Sequence, residues 1–469
     1  MRNRKRVLIP LAIVAVGIAL AIKVATQERE PGDFARYYTA GRLVLEGNAD
    51  RLYDSVDIAG RFNHHFKYLT IFAVLMAPLS ALPFGAALWV WKMLHVAAYA
   101  LGIFFCHRIA RADRTGRSFV WMLLPILGTA RLFVDNLQLG QINPLVIGLS
   151  LTGLWFLSRR RDVAAGLFVA LGAAIKFMPI LFVILFICRR RWKAVASMLA
   201  GLVLFVVIVP SAALGPERNF RLTDRYLSLQ SGLVTDPEFD RVSGQSLKAI
   251  AFRYLTPMNA VHLVRHNEPI YVNIVDWGPK TAFALYAAAS LFLLFAVSLL
   301  ATRTAEDEEA DGRLEALQAS AIAVVMLLVS PESRRAHFLL LLLPFTCLTY
   351  SVLALRFRGI RVVTAGVLGL LAGAAVGLPS RTLLGRELAN LVDAYTNMGF
   401  AGIALLAAIY LAARETIARA ARSREADSLG PVPPEPPPRD LVPPDESLPQ
   451  ATPPAALPDG NEGPSPPAP

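Results

Sequence analysis

Apolar runs of about membrane-spanning length recur along this chain from residue 7 to about residue 413. That recurrence fixes its class. About 20 apolar residues in a helix cross about 30 Å of hydrocarbon, and only helices or closed barrels satisfy their backbone there. Runs at 7–25, 85–106, 118–134, 142–158, 163–175, 177–189, 194–212, 279–301, 316–332, 337–355, 361–378 and 398–412 read as membrane helices, about twelve in all. The expected fold is therefore an all-α integral membrane protein. Composition agrees: 55% of residues are hydrophobic and 17% charged, against about 25% charged in soluble domains. An ordinary soluble enzyme, a secreted disulfide scaffold and a nucleic-acid-binding domain are excluded. Cys106, Cys188 and Cys347 lie in apolar runs and read as small buried hydrophobes.

The first run follows a basic start, Arg2, Arg4, Lys5 and Arg6. It resembles a signal peptide in its flank, but its length of about 19 residues suits a first span with the basic end in the cytoplasm. The run 68–83 is short and carries Pro78. If it dips in and returns on the outer side, the clusters Arg108/Arg111/Arg114/Arg117, Arg159 with Arg160 and Arg161, Arg189 to Lys193, Arg356/Arg358/Arg361 and Arg414 to Arg424 all face the cytoplasm. If it spans, they all face outward. The positive-inside rule selects the first, so 68–83 is expected to be re-entrant or interfacial. The outer segments are then about 26–67, 135–143, the turn at Lys176, the long loop 213–278, 330–337 and 379–396.

Residues 431–469 hold 16 of the 32 prolines, too poor in apolar side chains to bury a core. Two domains are expected: a polytopic membrane domain over 1–428 and a Pro-rich disordered cytoplasmic tail over 429–469. The tail carries one Arg against six acids, so the net charge of +12 becomes +17 in the remainder. Most of that surplus sets orientation and meets anionic lipid.

The cations and polar groups left on the outer side are the candidates for chemistry. Phe34, Tyr37, Tyr38, Gly41, Val44 and Leu45 follow helical spacing, which predicts a helix lying on the membrane or the protein. Asp33 stands just ahead of it. It can cap that helix, or serve as a general base at the bilayer surface. Lys176 interrupts about 25 apolar residues. It either snorkels from a hairpin turn or holds an anionic phosphate. Gln141 and Asn143 stand beside Gly140 between two spans, where they cap helix ends or bind sugar hydroxyls. Arg334, Arg335 and His337 cluster at an outer helix start, suited to phosphate or to pairing with Glu332 or Asp33. Lys92 and His95 share a face of one span, as a polar cavity or a buried pair. His64 and His65 show no diagnostic metal spacing.

Taken together and in order, over about residues 30–350, these features resemble glycosyltransferase family 87, polytopic enzymes of the GT-C membrane fold that include bacterial mannosyltransferases. Asp33, Tyr37, Tyr38, Gly41, Gly47 and Tyr53 are similar to its first-loop pattern. The stretch from Phe66 through Tyr68, Pro78 and Pro83 resembles its Tyr-Pro-Pro element. Gly140 to Asn143, Lys176 with Pro179, Gly244 to Leu247, and Ser330, Pro331 and His337 resemble its later motifs. Leu69 and Thr70 stand where a proline pair is usual, and Ser333, Arg334 and Arg335 replace a segment that usually carries an aromatic residue.

The resemblance implies a GT-C-type bundle in a bacterial plasma membrane, with both termini cytoplasmic and the active site outside. It implies a polyprenyl-phosphate sugar donor, mannose in type, and a lipid or glycan acceptor, with membrane lipids but no nucleic acid as further partners. It implies inverting transfer with Asp33 as base. Lys176, Arg334, Arg335 and His337 would hold the donor phosphate. Tyr37, Tyr38, Gln141, Asn143 and Gln245 would orient sugar or acceptor. Neither a metal nor a cofactor is called for. The alternative is a transporter or lipid flippase, which would show a two-sided path through Lys92 and His95; a lipid-binding scaffold without activity is a third reading.

Overall fold

The computed structural model describes residues 32–54, 56–57, 63–64, 66–110, 119–235, 243–261, 268–356, 358–379 and 381–428. The expected span over 7–25 and the tail 429–469 lie outside these residues. The chain divides into two units, Met1–Ser423 and Arg424–Pro469. In the second, the described residues, to Ser428, are helical.

The architecture is all-α and polytopic. The helices in chain order are α1 (Gly32–Leu45), α2 (Thr70–Ser80), α3 (Phe84–Ile109), α4 (Leu123–Leu139), α5 (Asn143–Ser158), α6 (Asp162–Ile175), α7 (Val183–Cys188), α8 (Trp192–Leu202), α9 (Val209–Leu214), α10 (Pro216–Thr235), α11 (Leu247–Leu255), α12 (Gly278–Ala301), α13 (Glu308–Val329), α14 (Leu342–Ala354), α15 (Ile360–Gly377), α16 (Arg381–Ala394) and α17 (Asn397–Ser428). A π-helical stretch, Val203–Ile208, joins α8 to α9, and 3₁₀ turns precede α7 (Met178–Phe182) and α14 (Arg335–Leu341). Among the described residues, strand is confined to a two-residue antiparallel hairpin, β1 (Val56–Asp57) with β2 (Asn63–His64).

Seven helices among the described residues are long and apolar enough to cross a membrane: α3, Trp192–Leu214, α12, α13, Arg335–Ala354, α15 and Asn397–Glu425. The expectation of about twelve was larger because it counted every apolar run. The runs at α4, α5 and α6 form helices of only 17, 16 and 14 residues. At 1.5 Å per residue, 14 residues reach about 21 Å, short of a straight crossing. The long loop 213–278 carries helices of its own, α10 and α11.

Within the bundle, α13 and the Arg335–Ala354 helix are central, with 83% and 89% of their apolar windows buried, against 17% for α12. The outer face of α12, including Leu291, Phe292 and Phe295, is exposed. Lipid is as apolar as these side chains, so such a face suits a membrane.

Two turns repeat one geometry. After α5, the Arg161 N–H bonds Phe156 O and the Arg160 N–H bonds Leu157 O, with Arg160 left-handed at φ 59°. After α7, the Arg191 N–H bonds Phe186 O and the Arg190 N–H bonds Ile187 O, with Arg190 at φ 54°. Both are Schellman caps, with Arg where Gly is usual. Carboxylates from the start of α13 gather these turns. Arg189 grips both oxygens of Asp311 at 2.8 and 2.9 Å. Arg191 reaches Asp162 at 3.5 Å and Glu315 at 3.6 Å.

The first-loop helix α1 forms, and Phe34, Tyr37 and Gly41 of the predicted face are buried together with Ala40, whereas Leu45 at its end is exposed. It packs on α2 so closely that a Cβ at Gly41 would stand 2.8 Å from Met76 O. Only glycine permits that approach. The run 68–83 folds as α2, with Pro78 inside its last turn.

Candidate active site

Four chain breaks build the site, and each has a local cause. Helix α4 ends at Gly140, whose left-handed φ of 68° turns the chain. Helix α5 restarts at Asn143 with Pro144 in its first turn, where a missing N–H costs nothing. Helix α6 stops where Lys176 becomes extended, and Pro179 opens the next 3₁₀ turn. Helix α13 stops at Ser330, driven to an extended conformation by Pro331. The side chains at these breaks meet the start of α1.

Asp33 lies in the first turn of α1 rather than ahead of it. Its Oδ2 accepts from Gln141 Nε2 at 2.9 Å, and its Oδ1 pairs with Arg36 Nη1 at 3.2 Å. Asn143 Nδ2 donates to Gln141 Oε1 (2.7 Å) and Asn136 Oδ1 (2.9 Å). Lys176 Nζ donates to Asn143 Oδ1 at 2.7 Å and lies 2.6 Å from His337 Nε2. The Arg334 N–H donates to His337 Nδ1 at 3.0 Å. An unbroken run of hydrogen bonds thus joins the carboxylate to the lysine, and the histidine ring lies against the lysine nitrogen.

Other charges surround this run. Lys67 donates to Glu332 at 2.9 Å. Burial lowers the pKa of the Lys176 ammonium to about 8; Glu332 and Asp33 act against that, while Arg334 and Lys67 add to it.

Sequence reasoning named Asp33, Gln141, Asn143, Lys176 and His337, and the structure brings all five together. Four other expected residues are engaged elsewhere. The Tyr37 hydroxyl is buried against the Tyr68 hydroxyl at 2.9 Å. Burial, with Tyr68 and then Asp33 adding to it, holds the Tyr37 phenol well above its usual range. Tyr38 donates to Leu82 O. Gln245 donates to Asp393 O at 2.9 Å and accepts from the Met398 N–H at 3.2 Å. Arg335 is ion-paired with Asp393. Glu332 pairs with Lys67 and Asp33 with Arg36, two partners the sequence did not single out.

Sequence reasoning missed Asn136, although it lies in the same polar turn. It is fully buried, and its Nδ2 donates to Leu132 O at 2.7 Å and Ala336 O at 2.9 Å. A second polar amide seven residues before Asn143 was the available signal. Lys67, one of eight lysines, was the other.

Fold and site define a polytopic membrane protein that links a carboxylate through two amides to a buried lysine and histidine. The comparisons place it further: residues 66–331, more than half of the chain, match glycosyltransferase family 87. The chain belongs to that family. A curated relative is the polyprenol-phosphate-mannose-dependent alpha-(1-2)-phosphatidylinositol pentamannoside mannosyltransferase of Mycolicibacterium smegmatis, 30% identical over 162 residues. The match covers 34% of this chain and 38% of that relative. No solved structure matches.

Proposed function

We propose that this chain transfers a sugar of mannose type from a polyprenyl-phosphate donor to a lipid or glycan acceptor on the extracytoplasmic side of the membrane. The observation that carries the reading is the run of hydrogen bonds from Asp33 through Gln141 and Asn143 to Lys176, with His337 close against the lysine. Such transfer needs a base for the incoming hydroxyl and positive charge for the leaving phosphate, held in fixed register. The family and the relative's name support the donor class.

In this mechanism Asp33 takes the proton of an acceptor hydroxyl. The acceptor oxygen bonds to the sugar's anomeric carbon as the bond from that carbon to the phosphate oxygen breaks. The bonding pair leaves with the phosphate, which Lys176 and His337 receive, and one displacement inverts the anomeric centre. Gln141 and Asn143 set the distance between base and cation. The transport reading is disfavoured by His95, which is tied into the Gly140–Gln141 turn rather than to a separate path.

The test is transfer from radiolabelled polyprenyl-phosphate mannose by membranes carrying the full chain. Asp33→Asn, at equal membrane abundance, abolishes transfer. Retained transfer overturns the assignment of Asp33.

A further inference from the structure

Lys92 and His95 stood out in the sequence as polar residues within a span, and the mechanism above uses neither. His95 is fully buried. A histidine there costs more to bury than an apolar residue of similar volume. Its contacts show what it supplies. Nε2 lies 2.5 Å from Gln141 O, and Nδ1 lies 2.7 Å from Trp91 O. Both partners are carbonyl oxygens; a neutral ring donates to one of them, and the Nε2–H tautomer places that bond on Gln141 O, 46 residues away, rather than on Trp91 O of its own helix.

Trp91 stands one turn before His95 on α3, and the two rings pack edge to face at 5.0 Å. Its indole Nε1–H donates to Gly140 O at 2.9 Å. Two side chains of one helix therefore grip the carbonyls of two consecutive residues, Gly140 and Gln141, just past the end of α4. Gripping both sets the direction in which Gln141 leaves the backbone. The same Trp91 ring packs on Phe34 at 5.7 Å and on Tyr37 at 5.8 Å. Those two residues are on α1, beside Asp33. One helix thus holds the amide donor through its backbone and the carboxylate through its neighbours.

We propose that Trp91 and His95 are positioning residues for the Asp33 carboxylate, acting through Gln141. This inference rests on the reading of Asp33 as the base. Neither residue touches the reacting atoms. Their part is to hold the Gln141 amide where it orients one carboxylate oxygen and leaves the pair's geometry fixed toward the acceptor. A misplacement of about 1 Å in such an arrangement costs on the order of 100-fold in rate.

The experiment measures kcat and KM for polyprenyl-phosphate mannose with full-length enzyme, normalised to folded protein. The variants are Trp91→Phe, His95→Phe, His95→Gln, Gln141→Ala and the double variant His95→Phe/Gln141→Ala. His95→Phe keeps a ring of similar size and Trp91→Phe a smaller one, both without the donor. Each lowers kcat by about 10-fold or more and leaves donor KM within about twofold, as expected for lost orientation rather than lost binding. His95→Gln, which keeps an N–H, recovers most of the rate. In the double variant, His95→Phe adds no further loss to Gln141→Ala, because both act through one contact.

Wild-type kcat in His95→Phe overturns the proposal. So does full additivity in the double variant. A loss confined to the amount of folded protein, with kcat per folded molecule unchanged, overturns it as well, since that is a packing role alone. Asp33→Asn run alongside separates the two readings. If it still transfers, the base assignment fails whatever His95 does; if it is inactive while His95→Phe is normal, only the present inference fails.

Discussion

Lys176 Nζ and His337 Nε2 stand 2.6 Å apart although 161 residues separate them in the chain. Both groups are cationic when protonated. Two unit charges about 4 Å apart near a protein surface repel by about 4 kcal/mol. At a shorter distance, only one of the pair carries the charge. The carboxylates of Glu332 and Asp33 favour placing it on Lys176. The result is a single positive charge beside a neutral ring whose Nε2–H is a second donor, which suits a ligand whose negative charge grows as a bond breaks.

Removing that charge with Lys176→Met keeps side-chain length and the turn. Losing a buried charged partner costs about 2–5 kcal/mol, so kcat/KM for the donor falls by about 30-fold or more. Lys176→Arg does not rescue, because a planar fork cannot keep both short contacts to Asn143 and His337. Steady-state kinetics on the two variants checks this, and near-normal kcat/KM in Lys176→Met removes the lysine from the mechanism.

Asn136 tests the frame under these groups. It is fully buried and ties Leu132 O, Ala336 O and Asn143 into one node. Asn136→Leu fills the space and leaves Ala336 O without that donor. Stability falls by about 1–3 kcal/mol, read as a lower melting temperature in detergent, and activity falls with it because Asn143 loses its second acceptor.

Much of this site was legible in the sequence because each member sits at a chain break. Gly140, Pro144, Pro179 and Pro331 mark the breaks, and polar residues beside them stand out against apolar runs. What was not legible is which partner each residue takes. Glu332 takes Lys67, more than 260 residues away in the chain, a partner its local sequence does not suggest. Tyr37 lies on the predicted face of α1, yet its hydroxyl points into the Tyr68 contact rather than outward. Periodicity gives the face of a helix; it does not give the neighbour that packing brings there. The span count exceeded the long helices for a related reason. Hydropathy marks apolar residues, whereas helix length is set by the turns that cut α4, α5 and α6.

Arg335 separates the phosphate contacts from the scaffold. It pairs with Asp393, and Gln245 joins the same region through Asp393 O and the Ser333 carbonyl. Arg335→Gln lowers the melting temperature but leaves donor KM within about threefold, since breaking a partly buried pair costs mainly stability. A rise in donor KM of about 10-fold without loss of stability would instead place Arg335 on the phosphate.

Gly41 links the fold to the base. Its lack of a Cβ lets α1 approach the Met76 carbonyl on α2. Gly41→Ala pushes the two helices apart at a cost of about 1–3 kcal/mol. Because Asp33 rides on α1, kcat falls while donor KM holds. Comparing kcat with melting temperature across Gly41→Ala and Asn136→Leu shows whether α1 moves as one body.

The repeated Arg turns give the opposite sign. Arg160 and Arg190 occupy left-handed positions, φ 59° and 54°, in matching Schellman caps. A residue with a Cβ pays about 1 kcal/mol or more there, which glycine avoids. Neither side chain is the one that holds the carboxylates; Arg189 and Arg191 do that. Arg160→Gly and Arg190→Gly are therefore each expected to stabilise the protein by up to about 1 kcal/mol, less the extra freedom glycine gives the unfolded chain. Thermal melts in detergent measure the shift, and transfer activity is unchanged because both turns lie away from the Asp33–His337 run. A drop in melting temperature for both variants would mean that the arginine side chains contribute more at these turns than their backbone strain removes.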